Sequence, residues 1–213
     1  MLQRKFRMVK KIEPIKKSTV KKQAEALIPT PWGNFRMIAF SEREEEWMPH
    51  LALIHENCNI AEPVLTRIHS ECITGDLFGS KRCDCGEQLH KAMELAAERQ
   101  GVVLYLRQEG RGIGIINKLK AYNLQDRGLN TVDANLHLGL EVDARQYHIA
   151  IEMLDALGIT RIHLLTNNPD KIEAVEHSNV QVVSRIPLVI EPKKENFKYL
   201  KTKQDEMGHL FKL

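Results

Sequence analysis

Three of the four cysteines in this 213-residue chain, Cys72, Cys83 and Cys85, stand within the stretch HSECITGDLFGSKRCDCGEQL. That spacing constrains any fold the chain can take. Either the thiols are buried singly as small apolar groups, or the chain brings them to one point. Their neighbours Lys81, Arg82, Asp84 and Gly86 are charged or backbone-permissive and argue against an apolar interior. Three thiolates suit zinc in tetrahedral geometry, and a site with three protein ligands keeps its fourth position for water or substrate. His69 or Cys58 as a fourth ligand would instead close the site into a structural, zinc-ribbon-like one.

An apolar share of 43% and a charged share of 28% are those of an ordinary globular chain. No run approaches the roughly 18 apolar residues of a membrane span, and no signal-peptide core stands near the start. Four cysteines so unevenly placed do not form a disulfide framework, so the reading is a reducing, cytoplasmic setting. The net charge of +3 is concentrated at the start, where Arg4, Lys5, Arg7, Lys10, Lys11, Lys16, Lys17, Lys21 and Lys22 face only Glu13. Residues 1–24 are therefore expected to be a basic, flexible extension, followed by one domain over 25–205 and a tail over 206–213. Only Phe6 interleaves those charges, and the remainder of the chain is slightly acidic. Neither feature favours a nucleic-acid partner.

IPTPWGNF reads as a turn between extended segments, and LALIH and PVLTRIH read as strands. From Gly86, Leu89, Ala92, Met93, Ala96 and Ala97 recur at helical spacing until Gly101. VVLYL is a buried strand. Ile115, Ile116, Leu119 and Tyr122 again repeat helically. Asp143 with Gln146 has the pattern of a capping box opening a helix that Gly158 closes. RIHLL is a strand, TNNP a helix entry with Pro169 in its first turn, and VQVVSRIPL a last strand. Strands alternating with helices indicate an α/β (mixed α+β) fold: a single domain, its mixed sheet flanked by helices and its metal site on a loop at a helix entry.

The turn RQEGRGIGIINK joins a strand to a helix. Gly110, Gly112 and Gly114 permit close approach to a ligand, and Arg111 can grip phosphate. It is neither the dinucleotide fingerprint nor a P-loop, and a tight turn with no ligand explains it equally well. TNNPDK reads first as a capped helix with a surface Lys171. In DARQ, Asp143 and Arg145 read first as a cap and a solvated charge.

Together, RIHSECITGDLFGSKRCDCGEQL, RQEGRGIGIINKLKAYNLQD, TVDAN, LGLEVDARQY and LLTNNPDK resemble the motifs of the GTP cyclohydrolase II family. PTPWGNF and DEMGHL near the two ends add to a resemblance that covers roughly residues 26 to 210. The resemblance implies a homodimeric enzyme that opens the imidazole ring of GTP, releases carbon 8 as formate and splits off pyrophosphate. The product would be 2,5-diamino-6-ribosylamino-4(3H)-pyrimidinone 5′-phosphate, in the first step of riboflavin biosynthesis. It implies one Zn2+ per subunit on Cys72, Cys83 and Cys85, and Mg2+ with the GTP phosphates. Arg67, Ile68, His69, Ser70, Glu71, Gln88, Glu109, Gly110, Arg111, Thr131, Thr166 and Lys171 match nucleotide-contacting positions; we assign Glu109 to the guanine edge. Asp143 matches the proton acceptor and Arg145 the nucleophile towards the α-phosphate. A guanidinium stays protonated, so a charge clamp on the phosphate is an equal reading for Arg145. Tyr122 matches a tyrosine associated with complete ring opening.

With no room for a dihydroxybutanone-phosphate synthase domain, the expectation is the stand-alone form. Three alternatives differ in kind: a related cyclohydrolase that stops at the formamidopyrimidine, a relative that has lost catalysis, and a zinc-ribbon-like nucleic-acid module using the basic extension. Intact cysteines, Asp143 and Arg145 count against the second.

Overall fold

The structure, a computed structural model, describes residues 19–211. Strands β1 (Lys21–Thr30) and β2 (Gly33–Ser41) form a hairpin about Pro31 and Trp32, and β3 (His50–His55) continues it antiparallel. β4 (Val64–Ser70), β5 (Val102–Leu106), β6 (Arg161–Leu165) and β7 (Gln181–Ile186) complete one seven-stranded sheet of order β1-β2-β3-β5-β4-β6-β7. The β3–β5 pair is antiparallel, whereas β5–β4, β4–β6 and β6–β7 are parallel. The expected mixed α/β architecture is therefore present.

Alternation along the strands builds two cores. Val102, Leu104 and Leu106 of β5 point to one face with Ile38, Phe40, Ile54 and Ile68, where α5 (His148–Ala156) brings Ala150, Met153 and Leu154 and α6 (Pro169–Glu176) brings Val175. Val103 and Leu65 point to the other face, beneath Ala92, Met93 and Ala96 of α2 (Cys85–Glu98). A strand of continuous apolar character is what a sheet covered on both faces requires. The helical spacing read from Gly86 thus marks the buried stripe of α2.

Six elements depart from expectation. Lys21 and Lys22, assigned to the basic extension, pair with Ser41 and Phe40 in β1, so strand structure starts within that stretch; residues 1–18 lie outside the described residues. Asp143 and Gln146 form no capping box: α5 starts at His148 behind Tyr147, and Asp143 Oδ1 instead accepts from Arg145 N at 3.1 Å, a local turn that competes with helix entry. In α3 (Gly114–Asp126) the buried residues are Lys118 and Ala121, while Ile116 and Leu119 are exposed. The short α1 (Ile73–Asp76), α4 (Thr131–His137) and α7 (Phe197–Asp205) had no periodic signal. By contrast TNNP behaves as read, with Asn168 capping α6 through Asp170 N at 2.8 Å.

Gly101 turns α2 into β5 against the neighbouring strand, and a Cβ there would stand 2.5 Å from the Leu65 carbonyl oxygen. Backbone cannot yield as a flexible side chain does. Gly101→Ala should therefore lower unfolding free energy by about 2–3 kcal/mol, the upper range for overpacking, measured by urea denaturation; an unchanged midpoint would contradict the close approach.

Candidate active site and metal centre

The carboxyl ends of β4, β5 and β6 lie side by side, and nearly every residue singled out for chemistry follows one of them. Ligands of open α/β sheets occupy this edge because diverging loops leave a crevice there. After β4 the chain passes Glu71 and Cys72 into α1, then through Cys83 to Cys85 at the start of α2. The three Sγ atoms lie within 4.8 Å of one another. Cys72 and Cys83 are 3.6 Å apart, close to the edge of about 3.8 Å expected for a tetrahedron with arms of about 2.3 Å. Two glycines permit this: a Cβ on Gly75 would meet Cys83 Sγ at 2.9 Å, and one on Gly86 would meet Gly75 O at 2.3 Å.

No fourth protein ligand completes the cluster among the described residues. Cys58 packs beside the other core, and His69 Nε2 is turned to the Asp76 carboxylate at 3.1 Å. Asp76 also accepts from Cys72 N and from the Tyr105 hydroxyl, both at 2.9 Å, and so anchors the first cysteine. The donor set therefore fits a metal with an open position, not a closed ribbon. Hydrogen bonds from Cys83 and Cys85, and then Lys118, hold the Cys72 thiol far below its usual range. Donating to Cys72 pushes Cys83 up to about 11 and Cys85 well above its ordinary value.

Lys118, which sequence reasoning passed over, sits with Nζ 3.1 Å from Cys72 Sγ and 2.7 Å from Glu109 Oε1. Burial opposes its charge, but the Cys72 thiolate and Glu109 outweigh that and raise its pKa. Glu109, assigned to a purine edge, has other partners here: Oε2 accepts from Ile73 N and Oε1 from Gly110 N, each at 2.6 Å. A purine would have to exchange with one of these. Tyr122, one turn beyond Lys118 on α3, faces the same cleft, with the Arg82 guanidinium 4.9 Å from its ring centroid.

Two adjoining clefts share this edge. One, of about 690 Å³, is lined by Cys72, Cys83, Glu71, Gly110, Lys118, Tyr122 and Thr131. The other, of about 760 Å³, is lined by Arg67, His69, Gln88, Thr166 and Lys171. Ser70, Cys85, Arg111, Arg145 and Tyr199 line both. The second cleft is strongly cationic. Burial lowers the Arg67 guanidinium to about 10 and, with Arg67 and Arg145 nearby, drives Lys171 well below its ordinary value. Lys171, expected at the surface, is instead buried, with Nζ donating to Ile68 O at 2.8 Å. Arg67 Nε, His69 Nδ1, Ser70 Oγ and both terminal nitrogens of Arg111 are buried without partners. Unsatisfied buried groups carry a free-energy cost, and cations gathered this way suit an anion.

The glycine turn forms a short 3-10 segment, Glu109–Gly112, in which Gly110 and Arg111 both have φ near 62°. A left-handed arginine is strained, as residues at functional sites often are. A Cβ on Gly112 would lie 3.0 Å from Ala144 C and O, and Ala144 N donates to Arg111 O at 3.0 Å, so this turn and DARQ are locked together. Asp143 holds Arg145 through both carboxylate oxygens. Burial opposes both charges, yet the pairing keeps Asp143 below and Arg145 above their ordinary values. The expected residues thus converge, except that the Ile68 side chain lies in the core and Glu109 and Asp143 act behind the cleft walls. Beyond Lys118, sequence reasoning missed Asp76, Asp84, Tyr199, Lys203 and His209. Asp76 and Asp84 lie in the cysteine stretch and His209 in DEMGHL, so the quoted motifs contained three of them without marking a role, whereas no motif contained Tyr199 or Lys203.

A sequence model described as GTP cyclohydrolase II matches residues 21–187. Over 188 residues, 88% of this chain and 94% of the relative, the chain is 52% identical to a Neisseria gonorrhoeae protein named GTP cyclohydrolase-2. It is also 48% identical, over 90% of its own length, to a Phocaeicola vulgatus protein named riboflavin biosynthesis protein RibBA, of which it spans 48%. A solved two-domain 3,4-dihydroxy-2-butanone 4-phosphate synthase from A. baumannii superposes with a TM-score of 0.45 at 19% identity over 82% of this chain and 41% of that one, too weak a likeness to bear on the fold.

Replacing Cys83 by Ser should remove stoichiometric zinc from purified protein, read by elemental analysis, while the thermal midpoint of the metal-free protein stays within a few degrees. Full zinc retention would show that the cluster is not the metal site.

Proposed function

The chain belongs to the GTP cyclohydrolase II family, and from that membership we propose that it hydrolyses GTP to formate, pyrophosphate and 2,5-diamino-6-ribosylamino-4(3H)-pyrimidinone 5′-phosphate. One observation carries the reading: a metal-fitting cysteine cluster in one cleft adjoins a cationic second cleft across Cys85, Arg111, Arg145 and Tyr199. A nucleoside triphosphate has that division, a neutral base at one end and a polyanion at the other.

Cys72, Cys83 and Cys85 would hold one Zn2+. When bound, that ion supplies Lewis acidity and brings the pKa of water towards neutrality. The base lies in the cysteine-lined cleft beside Tyr122, Gly110 and Thr131, where Glu109 can meet the guanine edge by releasing a backbone N–H. Ring opening and deformylation take up two waters, and Tyr122 orients the formyl group for the second. The phosphates, with Mg2+, lie against Arg67, Arg111, Arg145, Thr166 and Lys171. Ser70 and His69 contribute their unpartnered polar atoms, and Gln88 orients Arg67 through a 2.5 Å hydrogen bond. A third water is consumed in releasing pyrophosphate. Arg145, held protonated by Asp143, acts there as a charge clamp on the α-phosphate. Asp143 accepts the proton at the oxygen that Arg145 vacates as it turns to the phosphate. Glu71, paired with Arg107 at 2.8 Å, steadies the entry to Cys72.

Zinc-replete protein incubated with GTP and Mg2+ should yield formate and pyrophosphate in equal amounts. Pyrophosphate without formate would favour the enzyme that stops at the formamidopyrimidine, and no turnover would sink the proposal. Tyr122→Phe should cut formate release by about a hundredfold, the lower range for a positioned proton-transfer group, while pyrophosphate release persists; equal loss of both would refute the assignment.

The homodimer is supported by apolar side chains left exposed on α3 and α4, Ile116, Leu119 and Leu136. Light scattering should give twice the chain mass, and Leu119→Glu should shift it towards one; a monomeric wild type would overturn the dimer. The cytoplasmic setting is supported by four free cysteines. No described helix is long and apolar enough to cross a membrane.

A further inference from the structure

Residues 206–213 were read as a tail, yet together with α7 their described part forms one side of the cationic cleft. Tyr199, Leu200 and Lys203 of α7, with Met207, His209 and Phe211 beyond it, line that cleft opposite Arg67 and Lys171. Backbone bonds hold the segment there: Leu210 N donates to Asn167 O at 2.8 Å, and His209 N to Lys203 O at 3.0 Å. Asn167, in the loop after β6, in turn donates through Nδ2 to Leu188 O beyond β7 at 2.6 Å, so the loop that holds the segment is itself fixed. Lys203 Nζ reaches across to Asp84 Oδ1 at 2.8 Å, the residue between Cys83 and Cys85.

The charges in the cleft do not balance. Arg67, Arg111, Arg145, Lys171 and Lys203 line it, and Asp84 is the only carboxylate among its lining residues. Asp143, from behind, accepts its side-chain hydrogen bonds from Arg145 and also offsets part of the charge of Lys171 and Arg111. Two tyrosine rings stand near the surplus: Tyr199 lies 4.4 Å from Lys203 Nζ and 5.7 Å from the Arg111 guanidinium, and Tyr147 lies 5.4 Å from Lys171 Nζ. Rings attract cations weakly and do not neutralise them. His209 Nδ1 is buried without a hydrogen-bond partner, like the terminal nitrogens of Arg111. A neutral imidazole can donate from Nδ1 to a phosphate oxygen, and a lysine ammonium has three donors, of which Lys203 gives one to Asp84.

We propose that the carboxyl-terminal segment is the outer wall of the polyphosphate site, with Lys203 and His209 donating to the nucleotide's phosphate oxygens. The proposal rests on the GTP reading for the identity of the anion. Because Lys203 also holds Asp84, the wall couples phosphate occupancy to the loop that carries two of the three cysteines.

The test uses the full-length zinc protein and three variants, His209→Ala, His209→Asn and Lys203→Gln. Asn returns a donor near the Nδ1 position, and Gln still reaches Asp84 without a charge. Magnesium pyrophosphate and guanosine are titrated separately by calorimetry, and KM and kcat for GTP are measured alongside. His209→Ala and Lys203→Gln should each weaken pyrophosphate binding and raise KM roughly tenfold, the size of one lost charge-assisted hydrogen bond, with guanosine affinity unchanged. His209→Asn should recover most of the loss, and it carries the test should His209→Ala fail to fold. Unchanged pyrophosphate affinity in the folded variants overturns the wall. So does a parallel loss of guanosine affinity, which would mean the segment only braces the fold. Should wild-type protein bind pyrophosphate through His209 yet leave GTP intact, the wall stands and the GTP reading falls.

Discussion

The site depends on the parallel pairing of β4 with β5 and β6. Arg67 opposite Val103 and Ser70 opposite Leu106 set the register that ends the strands together, so three loops distant in sequence open at one edge. A slip of one residue would turn Arg67 and His69 into the core and bring Ile68 to the cleft. The register is held by apolar side chains on both faces, Ile68 with one core and Leu65 with the other. Hydrophobic burial, with no role in chemistry, thus decides which β4 residues face the ligand.

Above that edge, the polar groups form two connected assemblies. Around the cysteines, Asp76 holds Cys72 N, His69 and Tyr105, while Lys118 bridges Cys72 and Glu109. Around the cationic cleft, Lys203, Asp84, Gln88 and Arg67 form a chain of hydrogen bonds from the carboxyl-terminal helix to β4. Asp84 adjoins two cysteines in sequence, so the assemblies meet at one short loop. A buried polar network is costly unless each member is satisfied, and the unsatisfied atoms here cluster towards the clefts. That distribution is what a site preorganised for a ligand would show.

Much of the fold was legible because burial leaves a period in the chain. The stripe Leu89, Ala92, Met93, Ala96 gave α2, VVLYL gave a strand covered on both faces, and Asn168-Pro169 gave a helix entry. Where a local bond outranked the pattern the reading failed: Asp143 and Gln146 have capping-box spacing, but Asp143 spends its oxygens on Arg145. The apolar spacing of Ile115, Ile116 and Leu119 did mark a helix but not a buried face, since periodicity says that a face is apolar and not what covers it.

By itself the sequence determined the helices and strands with strong periods, the three cysteines close enough along the chain to share a metal, and the motifs of the family. Its short-range spacing sufficed there because the ligands come from adjacent turns. Only the tertiary structure decided that no fourth ligand among the described residues reaches the cysteines, that Lys118 stands against Cys72, and that Lys203 and His209 line the cationic cleft. Lys203 lies 119 residues from the Asp84 it pairs with, and no local pattern encodes a partner so distant. Those contacts exist because sheet register and helix packing, set by apolar burial, carry the two ends of the chain to one place.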